Sequence, residues 1–424
     1  MRPIRPGTAL TVMILIAFGL RVGYCVAKGT LGRSPQRGYR EYVMAGQRLL
    51  EHGTLVSPLI VADVDRTPSA LLPPVYVGLV AVSYALLGVE SSAATALLQL
   101  VNAAAGALTV LFVFLIAWSI GGRRAAWAAG VIATVNPTLI GFTDVIWDTS
   151  LFTLGVAVSA WMAQRLSARP VGSRSWLGMG LWLGALALLN PALTVAYPFL
   201  VLWPLCRSRP WHGRSVPLGV GMTVLGWSMA ITPWTVRNYV HFGELVYIRY
   251  GFPLELWLGV CPEAESQGED VYAHQFPLNN DEVQREVAAI GERAFLRDRG
   301  DRARAAVAAD PWRYVRLAMI RAVDYWTGSI FTHTTSDAGL APRSVWRAGV
   351  MYFLMAEGVV MVLTMLIDRR LGRDLPWLFA VVAAFSVVYC LTHVQVRFRA
   401  PTEPLMAILV GVLAAQAFAT VTRR

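Results

Sequence analysis

A succession of apolar segments constrains this chain more than any other feature. They run roughly over 8–27, 70–89, 93–120, 125–141, 145–164, 176–190, 192–206, 216–235, 346–367, 375–391 and 402–421. About 20 mainly apolar residues suffice for an α-helix to cross a bilayer. The composition points the same way. Of 424 residues, 56% are hydrophobic and 15% charged, against about 25% charged in soluble domains, and the mean hydropathy is +0.51. The predicted fold class is all-α, a polytopic transmembrane helical bundle.

The formal net charge is +11, almost all of it arginine, because Lys28 is the only lysine. In so apolar a chain a basic excess marks cytoplasmic connections and lipid headgroups, not nucleic acid. No RNA- or DNA-binding motif is present. Short basic connections lie at Arg123-Arg124, at Arg165, Arg169 and Arg174, at Arg207, Arg209 and Arg214, and at Arg369, Arg370 and Arg373. Arg2 and Arg5 begin the chain and Arg423-Arg424 end it. With all of these on the cytoplasmic side, both termini are inside, and the hydrophilic stretches 28–69 and 236–345 are outside. An odd number of crossings must then separate residue 69 from Arg123. The segment 70–89 opens with Pro73-Pro74, and the connector at Glu90 holds no basic residue. It is therefore expected to lie as a juxtamembrane or re-entrant helix, packed on protein, which leaves about ten crossings. The expected division is a transmembrane module over 1–235 with a first outer loop at 28–92, an extracytoplasmic loop region over 236–345, and C-terminal transmembrane helices over 346–424. The apolar run 8–27 is long for a signal peptide, is interrupted by Arg21 and precedes no clear cleavage site, so it reads as an uncleaved first span. Cys25, Cys206, Cys261 and Cys390 form no CxxC pair and no zinc-binding spacing.

Polar groups at membrane edges are costly and draw attention to function. Four clusters fall on the outer side of this topology. Tyr39-Arg40-Glu41-Tyr42 opens a helical stretch over 39–51, where Glu41 is a candidate general base or an ordinary solvated helix charge. Trp147-Asp148-Thr149 starts a span, where Asp148 is a second candidate carboxylate or a helix cap, with Asp144 another possible cap. Pro233-Trp234-Thr235-Val236-Arg237-Asn238 leaves the membrane. There Arg237 either grips a phosphate or reaches for headgroups, and Trp234 can be an interfacial aromatic. His393 precedes Arg397-Phe398-Arg399-Ala400-Pro401, a pair of outer arginines that breaks the positive-inside trend and calls for an anionic partner. Carboxylates, arginines and a histidine at one membrane edge suit transfer from a phosphate leaving group.

Several stretches, in order, carry a resemblance over nearly the whole chain. They are Glu41-Tyr42 with Ala45 and Gly53, Pro73-Pro74-Val75-Tyr76 with Leu86-Leu87-Gly88, Trp147-Asp148-Thr149, the run from Gly184 to Asn190-Pro191, Pro233–Tyr239, Leu254-Glu255-Leu256-Trp257-Leu258-Gly259, Gly291-Glu292 and Arg397–Pro401. The chain resembles the bacterial GT-C glycosyltransferases of the protein O-mannosyltransferase-like group, relatives of the aminoarabinose transferases. The resemblance implies a polyprenyl-phosphate sugar donor, inversion at the anomeric centre, a juxtamembrane helix in the first outer loop, residence in the inner membrane and no cofactor or metal. It implies Glu41 and Asp148 as catalytic carboxylates, and Arg237, His393, Arg397 and Arg399 around the donor phosphate. It implies Tyr42, Tyr76, Asn190, Trp234, Asn238 and Glu255 as pocket residues. Two departures are visible: Gly38 stands where relatives often have aspartate, and Asn190 where many have arginine. A lipid or glycan flippase, and a non-catalytic relative in envelope assembly, are the competing readings. The acceptor, whether lipid, glycan or protein, has no signature in the sequence.

Overall fold

The computed structural model describes residues 7–33, 40–60, 67–168, 172–207, 215–264, 269–327, 356–359 and 375–421. Outside them lie Gly38, Tyr39, most of the expected span 346–367, and several of the basic connections: Arg2, Arg5, Arg169, Arg209, Arg214, Arg369, Arg370, Arg373, Arg423 and Arg424. The described residues form helices and connections without a strand, apart from an isolated bridge between Val56 and Pro68.

Helix α1, Thr8–Ala27, is the first membrane-length helix. Arg21, which interrupts its apolar run, is fully buried. Its guanidinium donates to the carbonyls of Ala17 (2.9 Å), Ala133 (3.3 Å) and Thr134 (3.5 Å). Gly106 makes room for it, since a Cβ there would lie 2.2 Å from the Arg21 Nε. A charge inside an apolar bundle persists when protein acceptors replace water.

Helix α2, Glu41–His52, ends at Gly53, whose φ of +68° is the left-handed cap that glycine supplies most easily. Helix α3, Pro74–Leu87, starts with proline in its first turn and spans only 14 residues, roughly 21 Å. Leu72, just before α3, lines the cavity described below, as does Glu41. Glu90, just after α3, pairs with Arg40 at 2.8 Å. Both ends of α3 thus return to the neighbourhood of Glu41.

Helix α4, Ser92–Val135, covers two expected spans and is broken at Gly122 (φ +75°). The chain folds back there, because the rings of Phe114 and Trp127 meet at 5.2 Å. Helices α5 (Pro137–Gly141), α6 (Thr149–Ser167), α7 (Ser173–Leu189), α8 (Tyr197–Arg207) and α9 (Ser215–Phe242) follow. Asn190 ends α7, and a 3₁₀ turn over Pro191–Ala196 leads into α8. Helices α7 and α9 meet backbone to backbone: a Cβ on Gly180 would lie 2.1 Å from the Thr223 carbonyl oxygen. Small residues permit this approach where no hydrophobic drive separates helix from lipid.

The segment 252–327 builds a helical cap from α10 (Phe252–Leu258), α11 (Glu269–Gln275), α12 (Asp281–Ile290), α13 (Glu292–Ala309) and α14 (Pro311–Thr327). It has its own core, with Leu254, Trp257, Phe276, Val287, Phe295 and Leu296 packed on Leu59, Ile60 and Leu71 of the first loop. Glu292 joins the two parts by accepting from Ser57 Oγ, Ser69 Oγ (2.7 Å) and Tyr250 Oη. Helices α15 (Pro376–Leu391), α16 (Val396–Arg399) and α17 (Glu403–Val421) return to the bundle, where α17 packs along α4. Four helical stretches among the described residues are long and apolar enough to cross a membrane: Thr8–Ala27, Ser92–Val135, Val216–Phe242 and Arg397–Gln416.

Candidate active site

A cavity of about 400 Å³ opens where the bundle core meets the core of the cap, a size ordinary for a ligand pocket. It gathers Glu41, Tyr42, Asp148, Asn190, Glu255, His393 and Arg397 from seven of the twelve positions singled out in the sequence, together with Trp147, Arg249, Tyr272, Tyr389 and Phe398.

Glu41 is buried in the first turn of α2. Its Oε2 has no hydrogen-bond partner among the described residues. Burial raises its pKa above the ordinary carboxyl value, against the opposing pull of Arg397. Asp148 stands at the start of α6, yet its carboxylate makes no cap hydrogen bond. It accepts instead from Asn190 Nδ2 at 2.8 Å, while Asn190 Oδ1 accepts the Ala192 N–H at 3.0 Å. Asp144, the other candidate cap, pairs with Lys28 at 2.7 Å. Tyr42 lies edge-on to both Tyr76 (4.9 Å) and Trp147 (4.8 Å). Tyr76 is fully buried behind it, outside the cavity lining.

Arg397 stacks on Trp147 (4.6 Å) and Phe398 (5.0 Å) and donates to Tyr272 Oη at 3.4 Å. The aromatic faces hold the guanidinium in place at the cavity wall. Across the cavity Arg249 pairs with Glu255 at 3.0 Å. Burial works against the Glu255 carboxylate, but His393, Arg249 and Arg397 outweigh it and hold its pKa below the ordinary value. Burial drives the His393 pKa down to about 4. The ring is therefore neutral at pH 7, and the two arginines keep Glu255 ionised. His393 Nε2 meets Tyr272 Oη at 3.0 Å.

The other predicted positions lie away from the cavity lining. Arg237 donates to the carbonyls of Ser69 (2.9 Å) and Leu55 (3.3 Å) and to Thr54 Oγ1 (3.2 Å). Helix α9 continues past the expected span end at residue 235 to Phe242, which turns this arginine into the first loop. Trp234 Nε1 donates to the Ile248 carbonyl at 2.8 Å, and Asn238 Nδ2 to those of Val246 (3.0 Å) and Ile248 (3.3 Å). These two side chains fix the segment that delivers Arg249. Arg399 is buried between Glu403 (2.8 Å) and Glu357 (3.7 Å) and donates to the carbonyls of Tyr325 (3.1 Å) and Trp326 (2.7 Å). It joins α14 to the start of α17 and does not reach the cavity. Arg249 and Tyr272 were missed by the sequence reading because both lie in the long hydrophilic stretch. The signal available was proximity: Arg249 follows directly on the segment held by Trp234 and Asn238.

Membrane-length helices, a short helix returning to one face and a helical cap over a charged cavity define an all-α helical bundle of the membrane type. No family model matches the sequence, and no curated protein does. Among solved structures, the oligosaccharyltransferase of Archaeoglobus fulgidus in complex with Zn and sulfate matches over 98% of this chain and 49% of its own. The identity is 13% and the TM-score 0.55. The archaeal oligosaccharyltransferase AglB from the same organism, in complex with an inhibitory peptide and a dolichol-phosphate, matches over 97% of this chain and 51% of its own. Here the identity is 12% and the TM-score 0.51. ArnT from Cupriavidus metallidurans bound to undecaprenyl phosphate matches over 97% of this chain and 79% of its own, at 16% identity and TM-score 0.41. The chain spans about half the length of the oligosaccharyltransferases it matches.

Proposed function

We propose that this protein is a membrane glycosyltransferase that moves a sugar from a polyprenyl-phosphate donor to an acceptor hydroxyl on the extracytoplasmic face. The observation that carries this reading is one cavity in which the unpartnered Glu41 Oε2 shares space with the guanidinium of Arg397 and with Arg249. Two of its lining residues, Val195 and Phe252, are exposed apolar side chains, which suits a donor with an isoprenoid tail. The fold is shared with an oligosaccharyltransferase known in complex with a dolichol-phosphate, which supports a donor of that class.

In this mechanism Glu41 takes the proton of the acceptor hydroxyl. The acceptor oxygen forms a bond to the anomeric carbon from the face opposite the phosphate. The carbon–oxygen bond to the phosphate breaks, and its electron pair leaves with polyprenyl phosphate. Arg397 and Arg249 stabilise the charge that grows on the leaving oxygen. Asp148, held by Asn190, orients the sugar. The outcome is inversion. The base assignment rests on the contrast between the two carboxylates: Asp148 is engaged by an amide and Glu41 Oε2 is not.

The test uses purified full-length protein and polyprenyl-phosphate sugars. Glu41→Gln should bind donor with little change and lose transfer by about 10²–10⁴-fold, the usual contribution of general acid–base catalysis. Unchanged transfer by this variant would remove Glu41 as the base. Movement of the lipid across liposomes without formation of a glycosidic bond would favour a flippase.

A further inference from the structure

We infer a second binding site, for the phosphate headgroup of an anionic phospholipid, in a notch between α4 and α17 at the end of the bundle remote from the catalytic cavity. The notch measures about 530 Å³ and is lined by Arg123, Arg124, Trp127, Ala128, Ala414, Ala415 and Phe418. Its place follows from helix lengths. From Ser92, beside the first loop at Gly32, α4 runs some 30 residues to its break at Gly122, roughly 45 Å. Helix α17 starts near Arg399 and carries Ala414, Ala415 and Phe418 towards that same distant end.

Three features shape a headgroup site. First, the kink at Gly122 sets two adjacent arginines at the mouth of the notch, and among the described residues its lining contains no carboxylate. Second, Arg124 lies over the Phe418 ring at 5.4 Å, which holds one guanidinium at the mouth. Third, the walls are small. Ala128, Ala414 and Ala415 leave an apolar slot between two helices that pack closely just beyond, where a Cβ on Gly411 would lie 2.5 Å from the Ala129 nitrogen. Two guanidiniums above an apolar slot complement a lipid phosphate with its acyl chains below. Free phosphate would satisfy the arginines and leave the slot unused. The site is independent of the transferase reading, because none of its residues lines the catalytic cavity.

The test is native mass spectrometry of the detergent-purified full chain titrated with phosphatidylglycerol, phosphatidylcholine or inorganic phosphate. Wild-type protein should retain phosphatidylglycerol in preference to the other two. Arg123→Gln with Arg124→Gln should weaken phosphatidylglycerol roughly twenty-five-fold, at about fivefold for each arginine near an anionic headgroup. Ala415→Phe keeps both charges but fills the slot, and should also lower retention in a protein that elutes normally on size exclusion. Equal retention of both lipids by the wild type, retention by normally eluting Ala415→Phe protein, or binding of inorganic phosphate as tight as that of the lipid would each overturn the proposal.

Discussion

The charge state of Glu41 sets what the cavity can do at a given pH. Burial raises its pKa above 4.5, so the fold favours the protonated form. That contribution to stability is complete at low pH and is lost as pH rises through the raised value. In the proposed mechanism transfer requires the carboxylate, so the rate should climb over the same interval. The acidic limb of the kcat/KM profile is therefore expected above pH 4.5, and in Glu41→Gln this limb should disappear along with the rate. His393, already neutral at pH 7, should not add a limb near neutrality. Arg397 makes a different prediction. Its guanidinium lies over both Trp147 and Phe398, a placement that lysine's compact ammonium does not reproduce. Arg397→Lys should weaken donor binding by about tenfold, the order of one charge-assisted hydrogen bond, measured by titration with polyprenyl phosphate. At this scale the sequence was informative where a residue's chemistry is rare in its setting. An acidic side chain in a helix start between apolar runs, or an arginine such as Arg397 just before one, is conspicuous. It was uninformative for Arg249 and Tyr272, which sit among many charged neighbours in the long hydrophilic stretch and look like solvated surface.

Elements position these side chains through close backbone approaches. Helix α10 carries Glu255 and ends at Gly259, where a Cβ would lie 1.9 Å from the Thr392 carbonyl oxygen. Only glycine lets α10 press on the residue before His393. Gly259→Ala should push the two segments apart and separate Glu255 from His393, now 3.5 Å apart. A drop in melting temperature together with a loss of transfer is expected. The end of α9 acts in the same manner on Arg249. Asn238 is fully buried and its amide donates to two carbonyls. Asn238→Ala leaves those acceptors unpaired, at a cost of about 1–3 kcal/mol. It should also raise KM for the donor more than it lowers kcat, because Arg249 loses its anchor while Glu41 is untouched. The helix positions were legible from apolar runs, since length and hydropathy are local properties. The roles of Trp234, Arg237 and Asn238 were not. A side chain at the end of a span looks alike in sequence whether it meets headgroups, a ligand or the carbonyls of a loop 180 residues distant.

Across the whole molecule, the Arg40–Glu90 pair bears on how the chain would be threaded through a bilayer. The 14 residues of α3, about 21 Å, fall short of a hydrocarbon core of about 30 Å, and the Arg40–Glu90 pair ties its far end to the start of α2. A reporter fused after Glu90 should therefore read extracytoplasmic, on the same side as one placed in the 252–327 cap. A cytoplasmic signal at Glu90 would reverse this threading. What the amino-acid order determined unaided was a membrane-type succession of apolar helices, the helical class and a shortlist of acids and bases. Each of these is written in local hydropathy, in the spacing of prolines and glycines, or in a charge that is expensive where it stands. What only the tertiary structure decided was which members of that shortlist face one another. It placed Arg249 in the cavity and Arg237 in the loop, and it freed Asp148 from capping to meet Asn190. An arginine satisfies itself with any acceptor that folding brings within reach, and those acceptors come from segments far away along the chain.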